Sequence, residues 1–152
     1  MNYTIRYAEE RDIEAILGLI NHYAKQGVIL ERSSNEILAH IDNFIVAEHN
    51  KKVIGTVTFF DYGRNLKEVR SFAINEEYRG MGIGSEMLKR LIGAILKVRN
   101  ARIFTLTYSP EFFKKNGFAV VSKDEFPEKI WKDCANCKDW DRCGETALVY
   151  KG

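Results

Sequence analysis

Apolar and polar positions along the chain alternate in two rhythms, a period of two in short runs and a period near 3.6 in longer ones. Residues 3–7 alternate as a first strand. Behind Asp12, Ile13, Ile16, Leu17 and Ile20 recur at helical spacing, and Gly27 is placed to end that helix. Residues 28–33 lead into a second helix of about two turns, with Ser33 or Ser34 as its cap. Residues 44–48 and 53–60 are rich in β-branched and aromatic side chains and are joined by the polar stretch His49-Asn50-Lys51-Lys52. That composition predicts an antiparallel hairpin and leaves its turn type open.

The chain is organised around residues 68–96. A β-type run, Glu68-Val69-Arg70-Ser71-Phe72-Ala73-Ile74, passes through a polar turn into Arg79-Gly80-Met81-Gly82-Ile83-Gly84. Met87, Leu88, Leu91, Ile92, Ile95 and Leu96 then form a continuous apolar stripe on a helix. Strand, glycine loop and helix N-terminus in that order suit an anion. Glycines let backbone N–H groups face outward, the helix end carries partial positive charge, and Arg79 adds a full one, so a diphosphate could sit there. A Walker A loop would need Gly-Lys before Ser or Thr, but Ser85 follows Gly84 directly. A Rossmann fingerprint wants Gly-x-Gly-x-x-Gly near the start of a βαβ unit, whereas this loop reads Gly-x-Gly-x-Gly and begins halfway along the chain.

Residues 101–107 read as a fifth strand, residues 110–116 as a short helix opened by Pro110 and stopped near Gly117, and residues 118–121 and 146–151 as the closing strands. Residues 126–144 break this texture, because they hold one of the two prolines, both tryptophans and all three cysteines. They are expected to form a flap before the final strand. No internal repeat or linker divides the chain, and 152 residues with 45% hydrophobic content suffice for one core and not for two. Residues 1–152 are therefore expected to be a single mixed α/β domain.

Charge changes this picture little. Twenty-three basic against twenty-one acidic residues give a net charge of +2 without a basic block, so nucleic acid is not an expected partner. The first residues lack a hydrophobic secretory core and no run approaches a membrane span, which leads us to expect a cytoplasmic protein with no membrane partner.

Arg79, Gly82 and Gly84 resemble the acyl-CoA loop of the GCN5-related N-acetyltransferases (GNAT), whose pattern is Arg or Gln, two residues, Gly, one residue, then Gly or Ala. The stretch Phe112-Phe113-Lys114-Lys115-Asn116-Gly117-Phe118 looks like that superfamily's late helix and strand. Within it, Gly27-Val28-Ile29-Leu30-Glu31-Arg32-Ser33 and Phe126-Pro127-Glu128-Lys129-Ile130-Trp131-Lys132-Asp133-Cys134 are similar to the acetyltransferase domain of N-acetylglutamate synthases. The resemblance implies a single mixed, mostly antiparallel sheet flanked by helices, with the acyl-CoA loop between the fourth strand and the next helix. It also implies transfer of acetyl from acetyl-CoA to the α-amine of L-glutamate, the entry step of arginine biosynthesis, and it is compatible with a homodimer. Many such synthases carry an amino-acid-kinase-like domain before the transferase. This sequence shows none, so arginine feedback through such a domain is not carried over.

Acetyl transfer to an amine needs a neutral nucleophile, a polarised thioester carbonyl and a stabilised leaving thiolate. Glu68 stands where these synthases carry a glutamate that deprotonates the amine, here through water; its other reading is an ordinary carboxylate paired with Lys67 or Arg70. The resemblance places acetyl-CoA on Phe72, Ala73 and Ile74 of the strand and on Arg79, Gly80, Met81, Gly82, Ile83, Gly84 and Ser85 of the loop. A backbone N–H at Ala73 or Ile74 would polarise the carbonyl. Many relatives have a tyrosine acid in the late helix where this chain has Phe113, so Thr107, where the glutamate-acetylating relatives put a serine, and neighbouring Tyr108 are the candidates for the acid. Direct departure of the thiolate is the alternative. A dicarboxylic acceptor calls for a bidentate guanidinium. Arg32 is the first candidate and Arg70 the second, with Ser71, Leu106 and Arg142 completing the expected acceptor site. Glu145, beside Arg142, would repel a carboxylate.

Cys134, Cys137 and Cys143 sit close enough for a shared structural zinc but lack a clear fourth ligand, so reduced thiols packed into the flap are the first reading, zinc the second and a Cys134–Cys137 redox pair the third. Two other functions compete with glutamate acetylation. One is a transferase of the same fold acting on another small amine or a protein N-terminus, the other a non-catalytic acyl-CoA-binding or metal-sensing module.

Overall fold

The computed structural model describes residues 2–63, 65–122 and 145–152. Their strands are β1 (Thr4–Tyr7), β2 (Ile45–His49), β3 (Lys52–Asp61), β4 (Leu66–Ile74), β5 (Arg102–Thr107), β6 (Phe118–Val120) and β7 (Thr146–Tyr150). Helices α1 (Ile13–Ala24), α2 (Ser34–Ala39), α3 (Ile83–Ile95) and α4 (Pro110–Lys114) flank them. One sheet runs in the order β1-β2-β3-β4-β5-β7-β6, antiparallel except at the β4–β5 pair.

The local signals have identifiable physical causes. Ser33 caps α2 through a reciprocal box, its hydroxyl accepting from the Glu36 N–H while the Glu36 carboxylate accepts from the Ser33 N–H, each at 3.1 Å. Asn50 and Lys51 both adopt positive φ between the paired residues His49 and Lys52, the geometry of a two-residue type I′ hairpin whose twist matches its strands. The fourth strand begins at Leu66 rather than Glu68, because Leu66 to Val69 pair in register with Arg102 to Thr105.

Successive residues of a strand face opposite sides of a sheet, and β2 shows both sides at once. Ile45 and Ala47 face the cluster built on Met87, Leu88, Leu91, Ile92 and Ile95 of α3, whereas Val46 faces Ile16, Ile20 and Ile37 of α1 and α2. Gly55 lets α3 sit close, since a Cβ there would meet Ile74 Cδ1 at 2.8 Å and Met87 Sδ at 3.0 Å. Arg6 pins the start of α1 to the sheet. Its guanidinium donates to both oxygens of buried Asp12, at 2.8 and 3.0 Å, and to Glu48 at 3.0 Å. The Arg6 guanidinium holds the Asp12 carboxyl below the usual carboxylate range, against the opposing effect of burial.

Candidate active site

The sheet opens at its centre. β4 and β5 pair only as far as Val69 and Thr105, while β4 stays paired with β3 to Ile74 and β5 stays paired with β7 to Thr107. A bulge begins the divergence. From Thr58 to Thr56 the chain of β3 advances two residues while β4 advances three, from Arg70 to Ala73, and Ser71 takes a left-handed φ of 53°. The resulting cleft has a volume of about 460 Å³.

Strand geometry decides which backbone amide faces this opening. Asn75 N–H donates to the Ile54 carbonyl at 2.8 Å. Alternate residues of an antiparallel strand turn N–H and C=O toward the same neighbour, so Ala73 also faces β3 and Ile74 faces the opened edge. The Tyr23 hydroxyl agrees, since it donates to the Ile74 carbonyl from α1. Of the two amides expected to meet a thioester, Ile74 is the one directed at the cleft.

At one end of the cleft lies the glycine loop. Gly80 and Gly82 have φ of 79° and 82°, which non-glycine residues adopt only at a cost, and Gly82 caps α3. Glu86 N–H closes the first helical bond on Gly82, which leaves the N–H groups of Ile83, Gly84 and Ser85 outside the helix's own ladder. Gly84 serves packing rather than conformation, because a Cβ there would meet the Phe112 ring at 3.3 Å and Phe72 at 3.7 Å. Arg79 is exposed beside the loop, its guanidinium 5.9 Å from the Tyr23 ring centre. The expected donor-site residues all line the cleft except Met81, which is exposed outside it.

The other end is built from side chains of β3, β4 and their turn. Phe60 stands opposite Glu68 in the register, and Arg70 lies two residues along on the same face. Arg70 Nε donates to Glu68 Oε1 at 2.9 Å, and its Nη2 donates to the Tyr62 hydroxyl at 2.5 Å. That hydroxyl donates in turn to Glu68 Oε1 at 2.7 Å. The guanidinium also lies 4.2 Å from the Phe60 ring centre, a cation–π distance. Burial and the neighbouring carboxylate push the Tyr62 phenol above its ordinary range. Lys67, the other basic neighbour of Glu68, pairs with Asp61 instead, at 2.8 Å.

Arg70, Ser71, Leu106, Thr107 and Tyr108 line the cleft; Glu68 does not, and reaches it through Arg70. Arg32 is also absent from the lining, is mostly buried and lies 3.6 Å from Glu36 on α2. Thr107 Oγ1 accepts from Ser109 N–H at 2.9 Å, which leaves its own hydrogen for donation. Phe113 lies in the core and lines the cleft without a proton to give. Arg70, Arg79 and Lys115 line the cleft, and among the described residues no carboxylate does.

Sequence reasoning missed Tyr23, Phe60, Tyr62 and Phe112. Tyr23 could have been found, since it continues the Ile16, Ile20 stripe of α1 and a buried phenol needs a polar partner. Phe60 and Tyr62 reach the site only through strand register. Arg142, Cys134, Cys137, Cys143 and the expected flap at residues 126–144 lie outside the described residues. Among the described residues no cluster of three His, Cys, Asp or Glu could hold a metal, and no helix is long and apolar enough to cross a membrane.

Known proteins are similar to this chain in sequence and in fold. The chain is 37% identical to an uncharacterized N-acetyltransferase of Chlorobaculum tepidum over 95% of its own length and 94% of the relative's. It is 30% identical to the amino-acid acetyltransferase of Neisseria meningitidis over 86% of its length, but spans only 30% of that longer protein. The crystal structure of N-acetylglutamate synthase from Neisseria gonorrhoeae, complexed with coenzyme A and N-acetyl-glutamate, superposes with a TM-score of 0.87 at 27% identity. That match covers 99% of this chain and 35% of that one. Residues 40–120, which carry the hairpin, the bulged strand, the glycine loop and α3, match the acetyltransferase (GNAT) domain family. With that match and a relative alike along nearly its whole length, the chain belongs to the GNAT acetyltransferases.

Proposed function

We propose that this chain acetylates the α-amine of L-glutamate with acetyl-CoA, the reaction that opens arginine biosynthesis in the cytoplasm. The observation that carries this reading is the charge of the cleft, which has cations at both ends and no carboxylate among the described lining residues. An acceptor with two carboxylates suits such walls, whereas a polyamine would be repelled. The similarity to amino-acid acetyltransferases supports the same choice.

In this reading the diphosphate of acetyl-CoA lies on the N–H groups of Ile83, Gly84 and Ser85 beside Arg79, and the thioester carbonyl meets the Ile74 N–H. Arg70 holds an acceptor carboxylate. Glu68 accepts the ammonium proton through a water, and the freed amine attacks the thioester carbon to give a tetrahedral oxyanion that the Ile74 N–H stabilises. Collapse breaks the C–S bond. Tyr108 protonates the departing thiolate, and its phenolate regains a proton, the second one shed by the new amide nitrogen; a phenol, near pKa 10, matches a thiol near 8.5 far better than the Thr107 hydroxyl does.

The experiment is thiol release from acetyl-CoA with each of the common amino acids and with simple amines. Glutamate should give the highest kcat/KM. A higher value for glutamine, or for an amine without carboxylates, would contradict the assignment.

A further inference from the structure

We propose that Tyr62 is a positioning residue, a spacer whose hydroxyl keeps Arg70 from closing onto Glu68 as a bidentate pair and so holds the guanidinium at the cleft to read an acceptor carboxylate. The inference rests on the glutamate reading above and goes beyond it, because nothing in that reading requires Tyr62.

The three described contacts among these groups set their hydrogen-bond polarity. A guanidinium can only donate and an ionised carboxylate can only accept, so the Tyr62 hydroxyl between them must take Nη2 on a lone pair and aim its hydrogen at Glu68 Oε1. Burial and the Glu68 carboxylate push the phenol above its ordinary range, which favours the protonated hydroxyl. Arg70 thereby meets Glu68 through Nε, at 2.9 Å, while Nη2 is spent on the phenol.

Without the hydroxyl, the favoured geometry of an arginine beside a carboxylate is two parallel N–H···O bonds. Arg70 would turn toward Glu68, which does not line the cleft, and away from the position where it does. The Phe60 face, 4.2 Å from the guanidinium, supports the plane but cannot choose between these two arrangements within it. Tyr62 is suited to the choice because its backbone is fixed as well, its N–H donating to the Leu66 carbonyl at 2.9 Å across the β3–β4 turn.

The test is Tyr62→Phe, which keeps the ring and removes the hydroxyl. KM for glutamate should rise about tenfold while KM for acetyl-CoA stays within about twofold. Glutarate, which has the carboxylates and no amine, gives a readout independent of turnover. Its calorimetric affinity for the CoA-bound protein should fall by a similar factor. Adding Glu68→Gln to Tyr62→Phe removes the carboxylate onto which Arg70 closes, so glutarate affinity should recover most of its loss. Unchanged glutarate affinity in Tyr62→Phe, or no recovery in the double variant, would overturn the spacer. If the wild type turned over no acidic amino acid yet glutarate responded as described, the glutamate reading alone would fall.

Discussion

The two ends of the cleft recognise charge by different means. At the donor end the binding groups are backbone N–H groups at the start of α3, presented by Gly80 and Gly82 in left-handed conformations, and the loop's own full charge, Arg79, is exposed. At the acceptor end the groups are side chains, Arg70, Glu68 and Tyr62, mutually bonded and largely removed from water. The first device is set by chain conformation and tolerates any diphosphate of the right reach. The second depends on atoms placed within hydrogen-bond distance across two strands, so it can discriminate among acceptors but is easily upset.

Breaking the donor end should have the largest effect. Gly82→Asp keeps a residue that tolerates both the left-handed conformation and the N-cap, yet sets a carboxylate among the amides of Ile83 to Ser85. Acetyl-CoA affinity should fall roughly a thousandfold by calorimetry, as expected for like charges brought together, while left-handed strain costs about 1 kcal/mol of stability and leaves the variant folded. Normal affinity in a folded variant would remove the diphosphate from the loop.

At the acceptor end, Glu68→Gln should lower kcat about a hundredfold while leaving acetyl-CoA affinity intact, and the deficit should shrink as pH rises and free amine accumulates. A constant deficit across pH would make Glu68 a structural partner of Arg70 and nothing more.

The same contrast explains what could be read from sequence. Glycines, caps and helical stripes act over a few residues, so the loop and α3 were legible in Arg79 to Gly84 and in the spacing of Met87 to Ile95. Even there, the reason for Gly84 was not conformational freedom but the Phe112 ring, which arrives from α4. The acceptor end depends on register. Tyr62 and Phe60 meet Arg70 only because Phe60 pairs with Glu68, and the bulge at Ser71 that aims the strand leaves no composition signal. For the same reason the two candidate arginines exchange rank as proposals. Arg32 lies in the more specific sequence segment, yet Arg70 is the one lining the cleft.

A change remote from both ends should affect neither. Asp12→Asn weakens the bonds with Arg6 and should cost about 2 kcal/mol of stability at neutral pH while leaving both KM values unchanged. The Asp12 carboxyl is depressed in the folded state. Its contribution is therefore complete above the unfolded value near 4 and is lost as pH falls through the lower folded value. Denaturant titrations from pH 7 to pH 3 should show the wild type converging on the variant; a constant gap would contradict the linkage.

The smallest effect concerns the joint between the ends. Ser71→Gly relieves about 1–2 kcal/mol of left-handed strain and adds about 0.5–1 kcal/mol of chain entropy, for a net gain of roughly 0.5–1 kcal/mol. Ser71→Val should lose stability instead, and equal melting temperatures for the two variants would mean that the bulge stores no strain.

The most direct test of an acceptor end that reads carboxylate is kcat/KM for glutamate and for propylamine in wild type, Arg70→Ala and Arg32→Ala. Loss of a charge-assisted contact should cost on the order of 2–4 kcal/mol, so the ratio of the two values should fall roughly thirty- to a thousandfold in Arg70→Ala. Arg32→Ala should change it far less, and acetyl-CoA affinity should hold in both. A ratio that stays constant in Arg70→Ala, whether both acceptors fall together or neither falls, would contradict the account.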